Sequence, residues 1–402
     1  MKTVAIICEY NPFHTGHKHQ IERVRADFGD DTRIIAIMSG NYVQRAELAT
    51  APKYERARWA VDAGVNLVLE LPFPYSLASA EFFARGGVGI AAGLGIVDAL
   101  SFGTECGSAE KLKKIAENML TDEYKEALLK KTASESSSPH GHAALAERVY
   151  LELYPDTDFD FTASNNILAI EYIKAAITLG FSPEFHTVKR KGALYSDKNI
   201  TSAPHQSATA IRAALKRGEA VENYLPEEIR ERFSASIKEG LLPADENKLS
   251  SAVISHFLLN CQRQTDIMDA EGGLYNRIAK KSLDATDITS LCELSKTKKY
   301  TTARIRRAMW YSYFGVTSSE VKSAPAYTTL LAADKVGLEA LKQIKKVSGF
   351  PVITKAASLD ALTQEGLLQK ELSARADLLY QLALPKKLSA SAAYKTSPYI
   401  KK

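Results

Sequence analysis

The chain has 402 residues, 45% of them hydrophobic and 25% charged, with a formal net charge of +5 at pH 7. That length exceeds one ordinary hydrophobic core and predicts two domains, and the composition is that of a soluble globular protein rather than a disordered or fibrous one. Cys8, Cys106, Cys261 and Cys292 lie far apart with no Cys-x-x-Cys pair, which argues against a zinc site or a disulfide framework and for a reducing cytoplasm.

The first apolar run, 3–8, reads as a strand rather than as a signal peptide, and no apolar run is long enough to span a bilayer. A turn-like segment, Glu9-Tyr10-Asn11-Pro12-Phe13, follows, then His14-Thr15-Gly16-His17, then helical spacing to residue 28. A helix N-terminus carries unpaired N–H groups and partial positive charge, so it attracts phosphate. Two imidazoles flanking a glycine at that point suit nucleotidyl transfer, in which the protein positions the α-phosphate and stabilises its developing charge. A structural cap or a metal site is the plainer alternative for such a histidine pair.

Residues 33–38 read as a strand, 53–63 as a helix behind Pro52, 66–71 as a strand stopped by Pro72, 76–92 as a helix and 98–102 as a strand. This alternation predicts a parallel sheet with right-handed crossovers, which binds ligands beyond the C-terminal ends of its strands. His14 to His17, Ser39 to Arg45, Pro72 and Gly103 all follow strands, so four loops are expected at one edge. Serine-rich residues 132–141 read as a loop or lid, 143–154 and 165–179 as helices, 185–189 as the last strand, and 191–202 as polar turns. Residues 207–217 read as a helix. From Pro226 onward strand signals nearly vanish, and 226–239, 247–261, 288–294, 301–313, 333–346 and 373–384 carry helical spacing.

The expected division is therefore residues 1–220, a nucleotide-binding α/β domain, and 221–402, a mostly helical domain. Charge follows it approximately: residues 241–402 hold 24 Lys and Arg against 15 Asp and Glu, while the first 240 hold 28 against 32. A basic C-terminal part suggests an anionic polymer as partner, against the alternative of a solvated lysine face.

Three further groupings carry chemistry. In Ser207-Ala208-Thr209-Ala210-Ile211-Arg212, hydroxyls at a helix start either cap it or bind phosphate, and Arg212 shares a face with Thr209. A guanidinium there can neutralise departing pyrophosphate. Ser164-Asn165-Asn166 reads as an N-cap, and Lys189-Arg190-Lys191-Gly192-Ala193 as a basic loop over phosphates or a solvated charge run. Gln44 and Arg45 either reach substrate or cap the next element. Glu9 and Glu70 either help order magnesium or partner caps and arginines. Residues 296–307 hold six cations around Tyr300, with Trp310 and Tyr311 behind. Lys298, Lys299, Tyr300, Arg304 and Arg307 read as an RNA surface, the cations for phosphates and the aromatic for a base, while Trp310 reads as inward packing.

Glu9 to His17, Met38 to Arg45, Glu70-Leu71-Pro72-Phe73, Ser101-Phe102-Gly103-Thr104-Glu105, Ser164 to Leu168 and Ser207 to Arg212 together resemble the bacterial tRNA(Met) cytidine acetate ligase family, within the HIGH-type nucleotidyltransferase superfamily. The resemblance implies a Rossmann-like domain followed by the helical domain, and ATP bound along Ile7, Cys8, Glu9, Tyr10, Asn11, Pro12, Phe13, His14, Thr15, Gly16, His17, Lys18, His19 and Gln20. It adds Gly103, Asn165, Arg190, Ser207 and Thr209 as nucleotide contacts, with His14, His17 and Arg212 catalytic. Ala208 departs from the superfamily's pattern, which has a hydroxyl there. The implied reaction joins acetate to ATP as acetyl-adenylate and passes the acetyl group to N4 of the wobble cytidine of elongator tRNA(Met). Magnesium is expected as the ATP counter-ion with no built-in metal site, the cytoplasm as the location, and no membrane contact. Two rivals stand beside this reading: an adenylyltransferase making a dinucleotide cofactor, and a non-catalytic RNA-binding protein that keeps the nucleotide fold.

Overall fold

In the computed structural model the residues described are 1–134, 142–189, 206–260 and 266–402. The chain begins with β1 (Thr3–Cys8), α1 (Thr15–Phe28) and β2 (Arg33–Ser39), then a short hairpin of β3 (Tyr42–Val43) and β4 (Glu47–Leu48). It continues through α2 (Lys53–Asp62), β5 (Leu67–Leu71), α3 (Ala80–Gly93) and β6 (Ala99–Thr104). Four helices follow, α4 (Ala109–Leu120), α5 (Asp122–Ser134), α6 (His142–Leu153) and α7 (Ser164–Thr178), then β7 (Glu184–Lys189) and α8 (Ala208–Lys216).

β1, β2, β5, β6 and β7 are parallel, in the order β5-β2-β1-β6-β7. Thr3 pairs with Arg33 and Cys8 with Met38, so β1 and β2 end level and their loops share one rim. Side chains alternate between the faces. Val4, Ile6, Ile34 and Ala36 pack under α1, α2 and α9 (Glu227–Lys238), whereas Ala5, Ile35, Ile37 and Leu69 pack under α3 and α7. Gly87 of α3 lets that helix lie directly on β1, since a Cβ there would meet Ile7 Cγ2 at 2.7 Å.

Beyond α9 the chain is mostly helical: α10 (Ser250–Leu259), α11 (Leu274–Lys281), α12 (Ile288–Ser295), α13 (Thr302–Phe314) and α14 (Ser318–Lys322). It then returns to the sheet. β8 (Thr328–Ala333) pairs antiparallel with β5, α15 (Lys335–Val347) packs under the α3 face, and β9 (Val352–Ile353) pairs with β8. After α16 (Gln364–Tyr380), β10 (Tyr399–Ile400) adds to β8.

Residues 185–189 are therefore not the last strand. Thr328–Ala333 is buried at every position, so it lacks the alternation that marks a half-exposed strand, and its alanines read as the start of the next helix. That helix instead begins after Asp334, whose side chain caps Gly337 N–H. β1, β2, β5, β6 and β7 all precede residue 220, but β8, β9 and β10 extend the same sheet from beyond that point. Residues 132–134, expected in a loop or lid, complete α5, and 135–141 lie outside the described residues. A third apolar cluster joins the helical half to the first half, with Trp310, Tyr311 and Tyr380 packed around Tyr42, Phe73 and Phe82.

Candidate active site

The chain leaves β1 toward β2 on one side and returns to β6 on the other, which opens a crevice at the C-terminal ends of β1 and β6. Arg56 of α2, fully buried, gathers the rim behind it. Its guanidinium donates to the carbonyls of Glu9, Ser39, Gly40 and Ala51. One side chain thus ties the ends of β1 and β2 to the start of α2.

His14 is the N-cap of α1. Its backbone is extended (φ −143°, ψ 174°), and its Nδ1 accepts the Gly16 N–H at 3.0 Å. The His14 N–H in turn donates to His17 Nδ1 at 3.2 Å. This is a reciprocal capping box built from two imidazoles. A ring nitrogen that accepts a backbone N–H carries no proton, so each neutral ring bears its proton on Nε2. The ring centres lie 3.8 Å apart, and Tyr10 and Phe13 pack against His17 at 4.9 and 5.5 Å. The first turn of α1 adds the positive end of the helix dipole.

Across the crevice, α8 begins at Ser207, whose Oγ caps the Ala210 N–H at 3.0 Å. Arg212 donates to Thr209 Oγ1 at 3.3 Å and to the Asn11 carbonyl at 2.8 Å, and it lies 3.7 Å from Glu47. Arg212 is thus held against the loop that carries the histidines. Glu9 accepts the Gln44 N–H at 2.8 Å. Burial pushes its carboxyl above the ordinary carboxylate range, despite that bond and the charge of Arg212.

On the β6 side, Asn166 Oδ1 takes hydrogen bonds from Thr104 Oγ1 and the N–H groups of Glu105 and Cys106 at 2.6, 3.1 and 3.0 Å, fixing the loop after Gly103. The expected cap at Ser164 does not form. Ala163 is the N-cap, and the carboxylate of Glu105 accepts the Asn166 N–H at 3.0 Å and the Asn165 side-chain amide at 2.6 Å. The capping group comes from sixty residues earlier in the chain, where no local spacing reveals it.

Ile7, Cys8, Glu9, Tyr10, Asn11, His14, His17, Gln20, Gly103 and Asn165 all border this cleft, and Gln44 and Arg45 join them from the hairpin. Phe83, Phe102, Leu168 and Tyr172 supply an apolar wall; among these only Phe102 and Leu168 fall in stretches that the sequence singled out. Pro12, Phe13, Thr15, Gly16, His19, Ser207, Thr209 and Arg212 do not border the cleft. Lys18 turns away to Glu228 and the Ala63 carbonyl. Glu70 is deeply buried with Lys53 and Asp377 rather than at the cleft. Arg190 lies outside the described residues. Among the described residues, no group of three or more His, Cys, Asp or Glu is placed to hold a metal ion, and no helix is long and apolar enough to cross a membrane.

In the basic segment, Lys298 and Lys299 are exposed. Tyr300 is buried and donates to the Gly272 carbonyl. Arg304 pairs with Glu271 at 3.1 Å, and Arg307 pairs with Asp269. Arg304 and Arg307 share a helix face as their spacing requires, but that face meets carboxylates of residues 269–271. Trp310 is wholly buried, as expected, and so is Tyr311.

The HIGH Nucleotidyl Transferase family model matches residues 1–395. The chain is similar to a tRNA(Met) cytidine acetate ligase of Thermoanaerobacter sp. (strain X514), 34% identical over 385 residues that cover 93% of this chain and 94% of that one. It is 35% identical over 365 residues to the protein of the same name from Caldanaerobacter subterraneus subsp. tengcongensis, covering 89% of each. The fold superposes on the crystal structure of apo Thermotoga maritima TmcAL with a TM-score of 0.91 and 27% identity, covering 100% and 99% of the two chains. The form of that protein bound with alpha-thio ATP gives 0.88 and 28%, with the same coverage.

Proposed function

The chain belongs to the HIGH nucleotidyl transferase family, among the tRNA(Met) cytidine acetate ligases, and on that premise we propose that it activates acetate with ATP and transfers the acetyl group to N4 of the wobble cytidine of elongator tRNA(Met). In the first step a carboxylate oxygen of acetate attacks the α-phosphorus and pyrophosphate leaves, giving acetyl-adenylate. In the second, the cytidine N4 attacks the acetyl carbonyl, loses a proton and expels AMP. The product is N4-acetylcytidine.

The observation that carries the reading is the reciprocal histidine cap. It sets the Nε2–H tautomer on both rings at the start of α1, where the helix dipole favours an anion. In this account His14 and His17 donate to the α-phosphate oxygens as charge builds on them, a type of stabilisation whose loss costs on the order of a hundredfold in rate. Arg212 and Arg190 take the outgoing pyrophosphate. The adenosine lies toward Gly103 and Asn165, against the apolar wall. Magnesium arrives with ATP, held by phosphate oxygens. The helical part presents the tRNA, with Lys298 and Lys299 meeting its backbone, and the work is done in the cytoplasm. Nucleoside analysis of tRNA incubated with the protein, ATP and labelled acetate tests this: labelled N4-acetylcytidine supports it, and label absent from cytidine refutes it.

A further inference from the structure

The segment from Asn41 to Thr50 delivers Gln44 and Arg45 to the cleft, yet much of what fastens it comes from the C-terminal helices. Asn41 donates to Asp377 of α16 at 2.8 Å, and Tyr380 of the same helix donates to the Ala49 carbonyl at 2.8 Å. Tyr42 lies edge-on to Trp310 at 5.4 Å. The tip itself is held by Arg306 of α13, which is 8% exposed. Its Nε donates to the Ala46 carbonyl at 3.1 Å, and its other arm is ion-paired with Glu246. Ala46 has φ +56°, a left-handed conformation that a residue with a Cβ adopts only when its surroundings impose it. That turn aims the Gln44 N–H at Glu9 and places Arg45 on the cleft wall.

We propose that Arg306 is a positioning residue for adenylation: by fixing the Ala46 carbonyl it holds the turn that presents the Arg45 guanidinium to the carboxylate substrate. This rests on the reaction proposed above and adds a binding residue for its second substrate. The geometry makes the helical half, which the reaction employs for tRNA, also a part of the acetate site. Arg306 itself touches no substrate.

Full-length Arg306→Lys keeps a cation for Glu246, but one ammonium cannot replace a fork that serves a carboxylate and a carbonyl at once. In acetate-dependent ATP–pyrophosphate exchange, its KM for acetate is expected to rise about tenfold, with KM for ATP within about twofold and the melting temperature nearly unchanged. Arg45→Ala, on the exposed tip, gives the same split. The double variant is no worse than Arg45→Ala alone, because Arg306 acts through Arg45. Should the lysine variant not fold, Glu246→Gln weakens the ion pair that steadies the Arg306 fork, and it too raises KM for acetate. An unchanged KM for acetate in the folded variants, or effects of the two arginines that simply add, overturns the inference. If the unaltered protein shows no acetate-dependent exchange, the reaction itself falls, and this inference with it.

Discussion

His14 and His17 hold each other's turn: His14 N–H donates to His17 Nδ1 at 3.2 Å, Gly16 N–H donates to His14 Nδ1 at 3.0 Å, and the two ring centres are 3.8 Å apart. In the proposed reaction, helix capping and phosphate recognition therefore use opposite nitrogens of the same rings. The cap also selects the tautomer that the proposed reaction uses.

These two jobs are separable by mutation. Asparagine is among the best N-caps, and its side chain can accept the Gly16 N–H as Nδ1 does, but it has no donor where Nε2 lies. His14→Asn is expected to melt within a few degrees of the unaltered protein while adenylation falls about a hundredfold. Equal losses of stability and rate would assign His14 to structure alone.

Asn166 anchors the loop after Gly103. It is 2% exposed and takes three hydrogen bonds from the loop after Gly103. Asn166→Ala strands those donors and is expected to cost roughly 2–4 kcal/mol, read by denaturant unfolding. The loop follows Gly103, on the side of the cleft where the proposed reaction places the adenosine, so KM for ATP is expected to rise more than kcat falls. A variant with normal ATP affinity would remove the loop from nucleotide binding.

Glu9 gives a pH dependence with a definite sign. Burial holds its folded-state pKa above the ordinary carboxylate value, although the Gln44 N–H and Arg212 pull the other way. The folded chain keeps a proton where the unfolded chain has lost it. That contribution is complete below the unfolded value of about 4.3 and is lost as pH rises through the folded value. Glu9→Gln is always neutral, so it is expected to melt above the unaltered protein near pH 7, with the gap closing toward pH 4. A gap independent of pH would contradict this.

The sequence placed most of the parallel sheet, because β1, β2, β5 and β6 are short apolar runs with turn residues at their ends. It did not place β8, where complete burial erases periodicity, or β10, whose two residues are too few to signal. The histidine loop was legible because strand, turn and cap are contiguous. The interactions that brace it were not: Arg56 reaches four carbonyls on three separate stretches of chain, and Glu105 caps α7 from the loop after β6. Lys18 sits inside the motif, but its position on α1 carries it to Glu228. Charge spacing alone found the face shared by Arg304 and Arg307, but not the acidic residues opposite.

Those pairs sharpen the expectation for RNA. Arg304 and Arg307 already have carboxylate partners, whereas Lys298 and Lys299 are exposed. Lys298→Ala with Lys299→Ala is expected to weaken tRNA binding and lower the slope of log K against log salt by about 2, roughly one per lost phosphate contact. Exchange of pyrophosphate into ATP, which needs no RNA, should be untouched. An unchanged salt slope would move the RNA surface elsewhere.

The most direct test of the central claim is acetate-dependent ATP–pyrophosphate exchange without tRNA, comparing the unaltered protein with His14→Ala/His17→Ala. The account predicts exchange that requires acetate in the first and falls by at least about a hundredfold in the second, with ATP binding weakened but measurable. Exchange at the unaltered rate in the double variant would contradict it.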